Sequence, residues 1–288
     1  MEPSSKLTSL VEQMPDPDGR GMYCTDINKD KIDRAVAQLH KGGRGNIIAI
    51  IDMLVPPGKG DDVKAHYALH CLALHVCKLK DGNQRRRFAR TVASQLGGDR
   101  PKAVQKYLVR VLQVAGGKEV VGALGKLLVD EELCEPAAQA LVAIGNGVAR
   151  QLRSALPGAG GKCRLTVIQN LGVVRPPVFL RKQEGGVGAL KNAITDEDRD
   201  IRIAAAWALA NIGDPGSVSV LLRAADAEGW ERIQATKACL LLAENLRAAG
   251  KNYEAEKIYT HLRDTRTEPA ERYVRDVAKK ALTAASGK

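Results

Sequence analysis

The densest group of potential metal ligands lies between Lys64 and Cys77, where the apolar spacing reads as one helix carrying His66, His70, His75 and Cys77. His66 and His70 are four residues apart and share a face, which is the spacing of a two-histidine zinc clamp. Zinc needs at least a third protein ligand, and none follows. Tyr67 replaces the acid of an H-E-x-x-H motif, Cys77 lies two turns beyond His70, and His75 points to the opposite side. Asp26-Ile-Asn-Lys-Asp30 imitates the opening of a calcium loop, but Lys31 holds the glycine position and Ala37 that of the bidentate Glu. No phosphate loop, dinucleotide fingerprint or nucleophile elbow occurs. The carboxylates alternate with basic residues as on solvated helix faces. The sequence therefore assigns no catalytic residue, no metal and no cofactor, and the protein is not read as an enzyme.

Charge supplies a second kind of chemistry. Ten Lys or Arg residues stand against two Asp between Lys78 and Arg110, which places +8 of the chain's +11 in this segment. In its first helix Phe88, Val92 and Leu96 form the expected buried stripe, which puts Arg86, Arg87 and Arg90 outside. In the next, Val104, Leu108, Val111, Leu112 and Ala115 turn inward and leave Lys102, Lys106 and Arg110 in an outward row. Such rows can hold phosphates or an acidic protein, or can simply keep the surface solvated. Aromatic residues, on which single-stranded bases would stack, are nearly absent from the segment. A further pair, Phe179 and Arg181, sits in a long connection between 173 and 186 and is a candidate for partner contact.

These residues must be positioned by a core made from small aliphatic side chains, because aromatics are 3% of the chain while Ala, Leu, Val and Gly recur throughout. Many similar helix contacts suit that composition better than one large globular core. No apolar run approaches the ~18 to 20 residues of a membrane span, and the first ten residues lack a basic-then-apolar leader. A soluble chain is expected, cytoplasmic by default, or exported if a leader has been removed. The six cysteines, scattered and without a CxxC pair, read as reduced core residues.

Self-similarity appears when turns are aligned. Asn-Ile-Gly-Asp-Pro-Gly at 211–216 matches Ala-Ile-Gly-Asn-Gly at 143–147, and Asn170-Leu171-Gly172 falls between them. The intervals from Gly145 to Gly172 and on to Gly213 are 27 and 41 residues, together two units of 34. Ala-rich helical patterns precede each glycine, and a pattern V-x-x-L follows at Val121, Val187 and Val218, reaching Asp130, Asp196 and Asp226. Glycine past the first helix of a pair supplies a left-handed cap, and Pro215 opens the second. Small residues allow the paired helices to approach closely. Trp207, inside an Ala-rich helix, is expected in the core.

The segment Asp200-Ile-Arg-Ile-Ala-Ala-Ala-Trp-Ala-Leu-Ala-Asn-Ile-Gly-Asp-Pro-Gly216, with Val218 to Ala225, resembles a HEAT repeat of the bacterial kind also named after phycobilisome lyases. Weaker copies run over roughly residues 45 to 228. Leu242 to Tyr259, with Gly250, Ala255 and Tyr259, resembles a single tetratricopeptide hairpin. The resemblance implies an all-α fold, a right-handed α-α superhelix of about seven antiparallel helix pairs, with a binding role and no conserved chemistry. The expected divisions are an N-terminal arm (1–30), HEAT-like repeats (31–228) and a hairpin with a capping helix (229–288). A monomeric scaffold binding a protein through its concave surface is the leading reading. Duplex nucleic acid on the basic segment is the alternative, similar to helical-repeat DNA glycosylases, which need an aromatic and a carboxylate in the groove.

Overall fold

The computed structural model describes residues 4–18, 25, 27–145, 147–174 and 186–286. Among the described residues every regular element is helical. The helices are α1 (Ser5–Val11), α2 (Lys29–Lys41), α3 (Gly43–Asp52), α4 (Val63–Lys78), α5 (Gly82–Ala93), α6 (Lys102–Ala115), α7 (Val121–Gly125) and α8 (Cys134–Ile144). They continue as α9 (Val148–Ala155), α10 (Gly161–Val173), α11 (Val187–Ala193), α12 (Arg199–Ile212), α13 (Val218–Ala224), α14 (Gly229–Ala248), α15 (Asn252–Thr265) and α16 (Arg272–Ser286). Among the described residues α2 to α15 are fourteen helices, the number for seven pairs, between α1 and α16.

Local chemistry sets the helix boundaries. Asn28, Asp81 and Asp198 accept hydrogen bonds from backbone N–H groups at the starts of α2, α5 and α12, which relieves donors that have no partner within the helix. Gly145 and Gly213 end α8 and α12 at φ of 76° and 71°, a region costly for residues with a Cβ. Pro215 starts a short 3-10 turn that leads into α13.

The chain divides into two compact units, Met1–Val148 and Ala149–Lys288. In the first, α2, α4, α6 and α8 pack each on the next, and α3 packs on α5. In the second, α10, α12 and α14 do the same, with α13 on α15 and α15 on α16. Within each unit, among the described residues, most helices thus pack on a neighbour in sequence, on the helix after that, or on both, the pattern of a stacked repeat. This is the repeat architecture the sequence leads one to expect. The inward stripe of α6 is buried as read, whereas Leu96 lies beyond the end of α5 and is only half-buried.

Three local expectations give way to packing. The stretch read as an N-terminal arm contains α1, whose Leu7, Leu10 and Val11 are buried where it packs on α2 and α4. Gly172 is not a cap but a residue in the last turn of α10, set against Ala208 of α12. Cys77 is exposed, its Sγ donating to the Val114 carbonyl at 3.6 Å, while Cys134, Cys163 and Cys239 are buried.

Ion pairs repeat along with the helices. Asp130 accepts the backbone N–H groups of Glu132 and Leu133 and pairs with Lys102; Asp196 accepts the N–H of Asp198 and pairs with Arg164 at 2.8 Å. Asp130 and Asp196 therefore each turn the chain into the next helix and tie that turn back to α6 and α10 respectively. Arg202–Glu231 at 2.6 Å and Arg232–Glu271 at 2.7 Å continue the series in the second unit.

The Glu119 side chain is only 3% exposed and accepts from both terminal nitrogens of Arg85, at 2.8 and 3.3 Å. Burial pushes its carboxyl up, but the hydrogen bonds and charge of Arg85 outweigh that and hold it below the ordinary carboxylate value. A group with a depressed folded pKa adds stability above its unfolded pKa and loses it as pH falls through the folded one. Glu119→Gln is expected to destabilise the protein at pH 7. The difference from the parent should shrink as pH drops below about 4. Denaturant titrations at a series of pH values check this, and a difference independent of pH would remove Glu119 from the acid response.

Candidate functional site

The second unit carries an apolar groove built on α10, α12 and α14. Leu165 and Val173 come from α10, Ile203 and Trp207 from α12, and Trp230 from α14, with Asp200 and two glutamines on the same wall. Trp207 is 49% exposed and Trp230 58% exposed, although each belongs to a helix whose other face is buried. Trp207 follows Ala206 and precedes Ala208, both buried, so the helix turns its small residues inward and the indole out. This corrects the expectation of a core tryptophan: in an Ala-rich helix the inward positions are too crowded for an indole. Lys237 Nζ stands 5.9 Å from the Trp230 ring centroid, within reach of a cation–π contact.

Sequence similarity bears on this same region. Residues 150–240 match the family model described as HEAT repeats. This stretch is similar to HEAT repeats. The residues lining the groove, from Leu165 to Gln234, all lie within the matched stretch. Among solved structures, an engineered protein is 20% identical over 96% of this chain and 77% of its own, with a TM-score of 0.49. The archaeal HEAT-like repeats protein from Thermococcus onnurineus NA1 is 13% identical over 86% of this chain and 97% of its own, at 0.38. Human deoxyhypusine hydroxylase, in complex with glycerol, is 16% identical over 98% and 96%, at 0.33. No curated protein matches the sequence.

The basic segment lies outside the matched HEAT repeats, in the first unit, and its residues separate into two groups. Lys102 and Lys106 are on one row of α6 as read, but Lys102 pairs with Asp130 and Lys106 with Glu132 at 2.9 Å. Arg110 is exposed further along the same helix, and Arg86 is exposed on α5 with a hydrogen bond to Asn83 Oδ1 at 2.5 Å. Arg87 and Arg90 instead face a cleft of 740 Å3 that α5 shares with α2 and α3. Lys41 and Arg44 line it from the other side. Sequence reading missed these two because they lie some forty residues before the basic run, and only the packing of α3 on α5 brings them in.

The remaining candidates fall elsewhere. Phe179 and Arg181 lie outside the described residues. His66 Nδ1 is 3.3 Å from Asp62 Oδ2, and its ring meets Tyr107 edge-on, with Tyr107 Oη donating to the His66 carbonyl at 2.5 Å. Burial raises the Tyr107 phenol far above its ordinary value, so it stays a donor. His75 lies against His40, ring centroids 5.2 Å apart. Among the described residues no three His, Cys, Asp or Glu side chains form a metal-sized cluster.

Proposed function

We propose that this protein is a non-catalytic scaffold that binds another protein, and that the groove between Trp207 and Trp230 receives an apolar segment of it. One observation carries the reading. The chain's two tryptophans are both about half exposed and line the same groove, with Leu165, Val173 and Ile203 between them. Large apolar area left in water is unfavourable by roughly 25 cal/mol per Å2, so a cluster of it marks a contact surface more than it helps folding. Tryptophan is also the side chain most often found at the energetic centre of protein interfaces. No helix among the described residues is long and apolar enough to cross a membrane.

The test is a selection from a displayed peptide library against the full chain, repeated with Trp207→Ala and Trp230→Ala. Selected peptides should be rich in bulky apolar residues. Each substitution should cost about 2 kcal/mol, a loss of roughly thirtyfold in affinity, with little change in thermal stability because both indoles are exposed. Selected peptides that bind the two variants as well as the parent would sink the proposal.

The alternative, duplex DNA, gains one point, because Asp200 shares the groove with both tryptophans and so meets its demand for an aromatic and a carboxylate. It loses more. Exposed Glu197, Asp198 and Glu228 flank Asp200 and Trp230 in sequence, and carboxylates there repel a phosphate backbone.

A further inference from the structure

We propose that the cleft between α2, α3 and α5 in the first unit is a second binding site, and that its ligand is an acidic polypeptide segment. The cleft concentrates unmatched positive charge. Lys41, Arg44, Arg87 and Arg90 line it, and among the described residues none of the four is in an ion pair. Their neighbours behave otherwise. Arg85, Arg100, Lys102 and Lys106 are each matched to a carboxylate from another element. Within the basic segment, Arg85, Arg100, Lys102 and Lys106 are thus neutralised, while, among the described residues, Arg87 and Arg90 on α5's cleft-facing side and the exposed Lys78, Lys80, Arg86 and Arg110 are not.

The single carboxylate in the lining is already engaged. Asp81 caps α5, with Oδ1 accepting from the Asn83 N–H at 2.8 Å and Oδ2 from the Gln84 side chain at 3.2 Å. The walls are also fixed before any ligand arrives. His40 on α2 and Gln84 on α5 are hydrogen-bonded at 2.5 Å across the cleft, and Phe88, 1% exposed, locks α5 into the core beneath. Guanidinium groups on such walls can bind a carboxylate through two parallel hydrogen bonds.

Size and lining choose the ligand class. A cleft of 740 Å3 accepts a few side chains of an extended segment. A nucleic acid needs a longer track of free charge, and the lysines that would extend it on α6 are taken by Asp130 and Glu132. Of the two rings in the lining, Phe88 is buried and His40 is half-buried and tied to Gln84, which leaves little face for a base to stack on.

The experiment is fluorescence anisotropy of the full chain with a fluorescein-labelled peptide rich in Glu and Leu, its Gln-for-Glu counterpart, and a labelled DNA duplex, at about 50 and about 200 mM salt. The acidic peptide should bind, more weakly at the higher salt, and the Gln peptide should not. Lys41→Glu with Arg44→Glu, and separately Arg87→Glu with Arg90→Glu, should each weaken it at least tenfold, on the order expected for lost charge-assisted contacts. Lys102→Gln with Lys106→Gln should leave it unchanged. If a charge reversal lowers the melting temperature, the corresponding Gln pair is measured in its place, with the same expected loss. Absence of peptide binding at low salt, binding insensitive to both cleft variants, or duplex bound more tightly than peptide and lost on the same changes would each overturn the proposal.

Discussion

Replacing Arg266 with alanine is expected to lower the unfolding temperature of the protein by on the order of 10 °C, the largest effect of any single change considered. Arg266 is 1% exposed. Its Nη2 donates to the Ala225 carbonyl at 2.6 Å, Nε to Thr236 Oγ1 at 3.3 Å and Nη1 to Thr265 Oγ1 at 3.3 Å, while Glu271 lies at 3.8 Å. The guanidinium thus joins the end of α13, the face of α14 and the approach to α16. Alanine removes the stem as well as the charge, leaving a cavity and an Ala225 carbonyl held only by the longer 3.5 Å bond from Arg232, a cost of about 3 to 5 kcal/mol. At roughly 2 to 4 °C per kcal/mol for a chain of this size, that becomes the shift above. Methionine keeps most of the volume and avoids burying a charge, so Arg266→Met should recover much of the loss. A loss below 1 kcal/mol for Arg266→Ala, by thermal or urea unfolding, would show that the buried charge is not what joins these helices.

Gly172→Ala is expected to destabilise by about 2 kcal/mol, although Ala is favoured over Gly by up to about 1 kcal/mol inside a helix. A Cβ at 172 would lie 2.7 Å from the Ala208 Cα and 2.9 Å from its Cβ. Backbone rather than a flexible side chain is in the way, so α10 and α12 would have to separate. Ala208→Gly should fail to rescue the change, because the nearer atom, the Cα, remains. Gly122→Ala serves as the contrast: it lies in α7 with nothing within 4 Å of its Cβ position, and it should stabilise. Equal effects at 172 and 122, measured by denaturant unfolding, would mean that the close approach is not energetically important.

These two positions mark where sequence reading stops. The three-and-four spacing of Val104, Leu108, Val111 and Leu112 identified the buried face of α6, and the turns at Gly145 and Gly213 identified two helix ends, because both signals are carried within one helix. Gly172 looked like a third such turn, but its role depends on Ala208, thirty-six residues later. Trp207 was misplaced for a related reason: periodicity names the face that points inward, not the amount of outer face that the next helix leaves uncovered. The outward row of Lys102 and Lys106 was legible, whereas its partners Asp130 and Glu132 were not, since they come from the next helix pair. Lys41 and Arg44 were invisible to any reading of local charge. Arg266 stands between two threonines with no apolar pattern around it, so nothing in the chain marks it as buried.

The predominance, within each unit, of packing between helices near one another in sequence also governs how the chain acquires its structure. Contacts close short stretches of sequence, so little loop entropy is lost before each contact forms. Folding within a unit is then fast, and it can advance from the N-terminal side while later helices are still being synthesised at roughly 5 to 20 residues per second. A helix pair leaving the ribosome needs only the pair before it as a template.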